Sequence, residues 1–251
     1  MKLVVVLTCV LVMLSGCITE TTGPVREADP EKQLKSLIDL GVGYISNGEY
    51  ARAKENLTRA LDLDPRSPEA NNAIALLFQL EGEIQLAETH FKKAIKYSPG
   101  FSQARNNYGA FLYQEERYKE AVDQLQRASE DRFYQYRSQV FENLGVSYLQ
   151  LNKDTEAEQA FMRSIQLKPS QLRSLIELAE IRLKQRNYVE AREFYRRHKS
   201  ATQQSARSLW ICIRLARVFN NENEEASCSL TLRNVFPKSE QYEQYKSTTG
   251  Q

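Results

Sequence analysis

Histidine is nearly missing from this chain: 251 residues contain two, His90 and His198, far apart and in no HExxH or CxxC setting. Both read as surface or packing residues rather than ligands or general bases. A glycine-rich phosphate loop and a GxSxG elbow are missing too, because the ten glycines fall in turns or at small-residue positions of helices. These absences predict no enzyme, no metal, no cofactor and no small-molecule substrate. Charge of one sign is also missing. The net charge is +2, from 34 Lys and Arg against 32 Asp and Glu, so nucleic acid is not an expected partner. Cysteine is scarce, with four in all: Cys9, Cys17, Cys212 and Cys228.

What is present begins at the N-terminus, MKLVVVLTCVLVMLSGC, a short basic start followed by an apolar run. From Leu3 to Leu14 that run is about twelve residues, against the roughly twenty that a membrane-spanning helix needs. The small residues before Cys17 make it resemble a bacterial lipoprotein signal, with cleavage after Gly16 and a lipid on the Cys17 thiol. Several acyl chains together make such an anchor effectively permanent. The alternative is a cleavable secretory signal with an incidental cysteine. Residues 1–16 are thus a signal peptide, and the polar, proline-containing stretch 17–31 is a tether holding the folded part near a membrane surface. Cys212 and Cys228 would then lie outside the cytoplasm, where an oxidising compartment permits a bridge between two facing helices; the alternative is two small buried residues that never meet.

Residues 32–251 repeat. Pro65 and Pro99 stand 34 positions apart, and Leu37, Leu40, Gly41, Tyr44, Ala53, Leu57 and Ala60 before the first match Asn71, Ile74, Ala75, Phe78, Ala87, Phe91 and Ala94 before the second. A third unit carries Tyr108, Gly109, Leu112, Ala121, Leu125 and Ala128, after which Asp131 to Arg137 takes up two extra residues; a fourth ends at Pro169. A fifth, with Arg182 at a position that is aromatic in the first, second and fourth units, and a sixth of degenerate register, with Trp210, Ile213, Ala226 and Leu230 inward, complete the series. Units are placed at about 34–67, 68–101, 102–137, 138–171, 172–205 and 206–239, with Tyr242 and Tyr245 on a final short helix. Apolar residues at three- and four-residue spacing make each unit a pair of amphipathic helices, with Leu37, Leu40, Tyr44 and Leu57 between them. One pair cannot bury its own apolar face, so the pairs must stack. The order large, large, small, large, Ala, large, small, Pro resembles the tetratricopeptide pattern, which implies an all-α superhelical solenoid of about six helix pairs.

Such a stack carries a concave groove lined by the first helix of each pair. The positions expected there are Lys35, Ile38, Val42, Ile45, Asn72, Leu76, Asn106, Tyr113, Val146 and Leu149, a mixed surface with an apolar stripe in the first unit. Ile38 and Val42 replace the Lys and Asn with which related cochaperone domains clamp acidic C-termini, so an acidic tail is a disfavoured ligand. The stripe reads equally as packing against a neighbouring unit. From Arg173 to Arg217 there are eleven Lys or Arg and four acids, a solvated face or a surface for an acidic partner or lipid phosphates.

The signal, the tether, the order of the units and the ending LWICIRLARVFNNENEEASCSLTLRNVFPKSEQY together resemble the type IV pilus biogenesis lipoproteins of the PilF/PilW type. The resemblance implies a pilotin, a lipoprotein that binds outer-membrane secretin subunits and promotes their targeting and multimerisation. Ile18, in place of the aspartate linked to inner-membrane retention, implies the outer membrane, with the domain facing the periplasm. An outer-membrane scaffold for peptidoglycan hydrolases or for barrel-protein assembly is the alternative.

Overall fold

The computed structural model describes residues 29–249; the signal segment, Cys17 and the tether up to residue 28 lie outside the described residues. The described residues form thirteen helices: α1 (Pro30–Ser46), α2 (Tyr50–Leu63), α3 (Pro68–Glu81), α4 (Ile84–Tyr97), α5 (Ser102–Gln114), α6 (Tyr118–Glu130), α7 (Arg137–Gln150), α8 (Asp154–Leu167), α9 (Leu172–Lys184), α10 (Tyr188–Lys199), α11 (Ala206–Val218), α12 (Glu222–Val235) and α13 (Glu240–Thr249). Helix α1 starts at Pro30, inside the stretch read as tether, because the Asp29 carboxylate accepts the Glu31 N–H at 3.1 Å and proline suits a first helical position. Helix α3 starts the same way, with the Ser67 hydroxyl accepting the Ala70 N–H at 3.1 Å ahead of Pro68.

Each pair closes through a tight turn with one left-handed residue. These residues are Gly48, Gly82, Glu116, Asn152, Arg186 and Asn220, spaced by 34 except for one step of 36 between the third and fourth. The backbone conformation thus repeats even where glycine is lost, since each turn is held by two amides that return to carbonyls of the preceding helix, as Glu83 and Gly82 do to Phe78 and Gln79. Within a pair the helices approach closely where the first carries glycine. A Cβ on Gly145 of α7 would stand 2.5 Å from the ring of Phe161 on α8, which is wholly buried. Alanine normally favours a helix over glycine by about 1 kcal/mol. Here the ring has nowhere to go, and overpacking costs about 1–3 kcal/mol. We therefore expect Gly145→Ala to lower stability by a net of up to ~2 kcal/mol in urea denaturation, whereas an alanine at exposed Gly43, where nothing lies within 4 Å, should raise it by up to ~1 kcal/mol.

The first helices of successive pairs also touch one another, α1 to α3 and so on to α9 and α11, whereas the second helices touch only their sequence neighbours. The first helices therefore line the concave side. One continuous core runs from Ala75 to Leu232, with two small clusters around Leu57 and Leu37 at the N-terminal end.

Two expectations fail at the ends of the stack. Leu40 does not fill the first pair; it is 47% exposed, while its counterparts Ile74, Tyr108, Leu144 and Leu178 are buried. Those residues pack against the pair before them, as Tyr108 does on Phe91 with ring centroids 5.7 Å apart, and α1 has no described pair before it. In α12 the inward residues are Cys228 and Leu232, and Ala226 and Leu230 face solvent. The degenerate register is settled by Cys228, which is joined to Cys212 of α11. Helix α13 closes the end against α11 and α12, with Arg217 lying 5.5 Å over the Tyr245 ring and donating to the Thr248 hydroxyl at 2.9 Å.

Candidate functional site

The concave face divides into two hollows of different chemistry. The first, about 330 Å³, is walled by Ile38, Asp39 and Val42 of α1, Glu69, Asn72, Ala73 and Leu76 of α3, and Phe101 and Gln103 at the start of α5. Four expected groove residues meet here: Ile38, Val42, Asn72 and Leu76. Val42 is 44% exposed, so its side chain is free to meet a ligand. Lys35 is not among them, because it points to a separate hollow at the open end with Lys32, Ser36, Asp39 and Leu40. Ile45 is half-buried against the Ala73 and Leu77 cluster.

Asn106 and Val146 are buried between successive first helices and line neither hollow, and Asn72, at the border of the first hollow, is itself buried. Their function is structural. The Asn72 side-chain carbonyl accepts from Asn107 at 3.1 Å and that of Asn106 accepts from Asn143 at 3.1 Å, so an asparagine ladder fixes the register of α3, α5 and α7. Tyr113 is half-buried, with Tyr118 edge-on at 5.4 Å and the Arg173 guanidinium 5.9 Å above its ring. Leu149 lines the second hollow with Asn152, Asp154, Glu177, Glu180, Ile181, Lys184 and Arg207.

That second hollow is a network of charges. Arg207 donates to both carboxylate oxygens of Glu177 at 2.7 Å and to Glu180 at 2.8 and 2.5 Å. The bonds to Glu177 hold its guanidinium above the ordinary arginine range, against the opposing effect of burial. The basic run from Arg173 to Arg217 is dispersed in the same way. Arg182 reaches Glu158 and Glu190, each at 2.6 Å, which is how a cation stands where the first, second and fourth units carry Tyr44, Phe78 and Tyr148. Arg196 pairs with Glu193, Lys199 with Glu224 and Arg217 with Glu225. Arg192, Arg196 and Lys199 do share a face, beside a cavity of about 190 Å³ floored by Cys212, Leu215 and Phe219, with Arg192 stacked 3.8 Å over Phe219.

Both histidines pack. His90 Nδ1 lies 2.9 Å from Asn71 Oδ1 and its ring 5.6 Å from that of Phe78; His198, on α10, is buried. Burial first, and then Lys93 or Arg207 nearby, lowers the pKa of each below the ordinary value. Among the described residues no group of three or more His, Cys, Asp or Glu is placed to hold a metal ion, and no helix is long and apolar enough to cross a membrane.

Charge also couples neighbouring pairs at Glu88 of α4. Burial would raise its carboxyl, but bonds from Lys92, the Tyr108 hydroxyl and Arg117 outweigh that and lower its pKa from 4.5 to about 2. A depressed carboxyl contributes stability above its unfolded pKa and loses it as pH falls from about 4.5 towards 2. Allowing for solvent screening, we expect an acid-limb loss of roughly 1–2 kcal/mol that Glu88→Gln removes, read as the pH dependence of urea midpoints.

Tetratricopeptide-repeat family models match residues 38–96, 142–206 and 78–133. Over 236 residues the chain is 38% identical to the type IV pilus assembly protein PilF of Pseudomonas aeruginosa, covering 93% of this chain and 94% of that one. The chain belongs to the PilF family. It is a tetratricopeptide-repeat protein of type IV pilus biogenesis. The solved structure of Pseudomonas aeruginosa PilF superposes with a TM-score of 0.85 over 87% of this chain and 99% of that one, at 38% identity. PilW, a widely conserved type IV pilus biogenesis factor, shares the fold with a TM-score of 0.72 at 22% identity, over 84% of this chain and 97% of that one. In this PilF-family chain the hollow also uses Asp39, Glu69, Ala73, Phe101 and Gln103, which sequence reasoning did not select. Phe101 had a signal, an apolar residue directly after Pro99-Gly100 in a polar connection.

Proposed function

We propose that this protein is an outer-membrane lipoprotein, acylated at Cys17 and facing the periplasm, that captures secretin subunits of the type IV pilus and promotes their multimerisation. The observation that carries the reading is the near full-length match to PilF together with the open apolar hollow between α1 and α3. Ile38, Val42 and Leu76 suit an apolar segment, and Asp39 and Glu69 beside them disfavour an acidic tail. A lipid at Cys17 confines the captured subunit near the bilayer and raises its effective concentration for assembly.

Deletion of the gene is expected to remove both the heat-stable secretin multimer from membrane fractions and the surface pili, with rescue by the native chain. Cys17→Ala should fold but leave the secretin misplaced. Val42→Asp should reach the membrane at normal levels yet capture secretin at least ~10-fold more weakly, since one buried aliphatic side chain is worth about 1.5–3 kcal/mol. Unaltered secretin and pili in the deletion strain would sink the reading and favour a scaffold for peptidoglycan hydrolases or barrel assembly.

A further inference from the structure

The 34-residue rhythm breaks once, between α6 and α7, and the added length forms the segment from Asp131 to Tyr136. Phe133 at its tip is 98% exposed and Tyr136 is half-exposed. The segment is pinned at both ends. The Asp131 carboxylate accepts the Phe133 N–H at 3.0 Å and the hydroxyl of Ser102 on α5 at 2.8 Å; the Tyr134 ring packs on the core. Arg137 donates to the Ser129 carbonyl at 2.7 Å and lies 5.3 Å over Phe141. A phenyl ring held wholly in water on a fixed turn is unfavourable where it stands, and it binds an apolar phase without an ordering cost.

Topology says which way the tip points. Successive helices run antiparallel, so every connection from a second helix to the next first helix shares one edge of the stack with the start of α1. Leu37 meets Ala60 and Ala70 there in the first pair, and Ser102 meets Asp131 there in the third. The same edge exposes the apolar helix ends Leu63, Tyr97, Leu167 and Val235, with exposed Arg132 and Lys168 beside them. The chain to Cys17 also leaves from this edge. Asp29 is twelve residues on from Cys17, a reach of at most about 40 Å.

We infer that this edge docks on a phospholipid surface, with Phe133 inserted among the acyl chains, Tyr136 at headgroup level and Arg132 against lipid phosphate. The inference rests on the membrane anchoring proposed above. A lipid surface is favoured over a protein partner because the exposed groups spread along the whole edge without closing a pocket, and because the anchored end of the chain departs beside them. Docking by this edge sets the concave groove sideways to the bilayer and turns the opposite edge, where Val189 is exposed, away from it.

The test uses the mature chain, residues 17–251, which contains every helix and packing contact described. With Cys212 and Cys228 joined, Cys17 is its one thiol, so it can be coupled to a maleimide-headgroup lipid. That makes the result independent of acylation in the cell, which palmitate labelling of Cys17 checks separately. In a Trp210→Phe background, tryptophan is placed at Phe133 or at Val189. On vesicles of brominated phosphatidylcholine and phosphatidylglycerol, Phe133→Trp is expected to shift its emission to the blue and be quenched, with Val189→Trp unchanged. Equal behaviour of the two, or no quenching at Phe133→Trp, overturns the inference. If Phe133→Ala then lowers secretin capture without any lipid contact at that site, the turn is a protein contact instead.

Discussion

Phe111→Ala is expected to cost about 3–5 kcal/mol and to lower the melting temperature by roughly 10 °C, checked by thermal and urea unfolding followed by circular dichroism. Phe111 is wholly buried on α5, with its ring centroid 5.5 Å from that of Phe91 on α4 and 6.1 Å from that of Tyr108. It is the bolt between the second and third pairs. Truncation removes the ring from two partners at once, and the surrounding helices are tied by the Asn72–Asn107 and Glu88–Tyr108 bonds, so they cannot collapse into the space. In a stack where each pair touches only its neighbours, a weak joint in the interior also separates the units on either side. The melting curve should therefore broaden or split as well as shift, whereas Phe111→Leu, which keeps most of the volume, should cost under about 1.5 kcal/mol and keep one transition.

Loss of the Cys212–Cys228 bond, by Cys212→Ser with Cys228→Ser, should cost about 3 kcal/mol, the entropy of closing a loop of this length. The two cysteines are 16 residues apart, on α11 and α12. The cost should be local. Helix α12 buries only Cys228 and Leu232, fewer residues than any second helix before it, so the covalent bond substitutes for an apolar face. We expect α12 and α13 to exchange their amide hydrogens early in the double variant, while α3 to α8 keep native protection. A reducing agent should reproduce this pattern on the native chain. Uniform destabilisation of all the helices would contradict a local bond.

The architecture was legible because everything that defines a helix pair lies within one 34-residue window. Apolar spacing, the small residues at Gly145 and Ala157, the cap at Ser67 and the stops before Pro65 and Pro99 act over a few turns of helix, and the sequence carries them in order, whereas the cap at Asp29 stands in a stretch without apolar periodicity and reads as tether. The apolar hollow was partly legible: Ile38, Val42 and Leu76 stand at the right helical phase, but phase does not distinguish an open groove from a seam. Asn72, Asn106 and Val146 share that phase and are buried, since the next first helix approaches closely enough for the asparagines to bond across.

The sequence by itself determined the class of fold, the number of pairs and the resemblance to pilus biogenesis lipoproteins. Only the tertiary structure decided what happens where the repetition stops. Leu40 is exposed because no described pair precedes it; α12 turns Cys228 inward because Cys212 faces it; Arg182 replaces an aromatic ring because Glu158 and Glu190 converge on it. The reason is the same in each case. Helical periodicity is a property of neighbours along the chain, whereas burial at a given position depends on which element, if any, stands across from it.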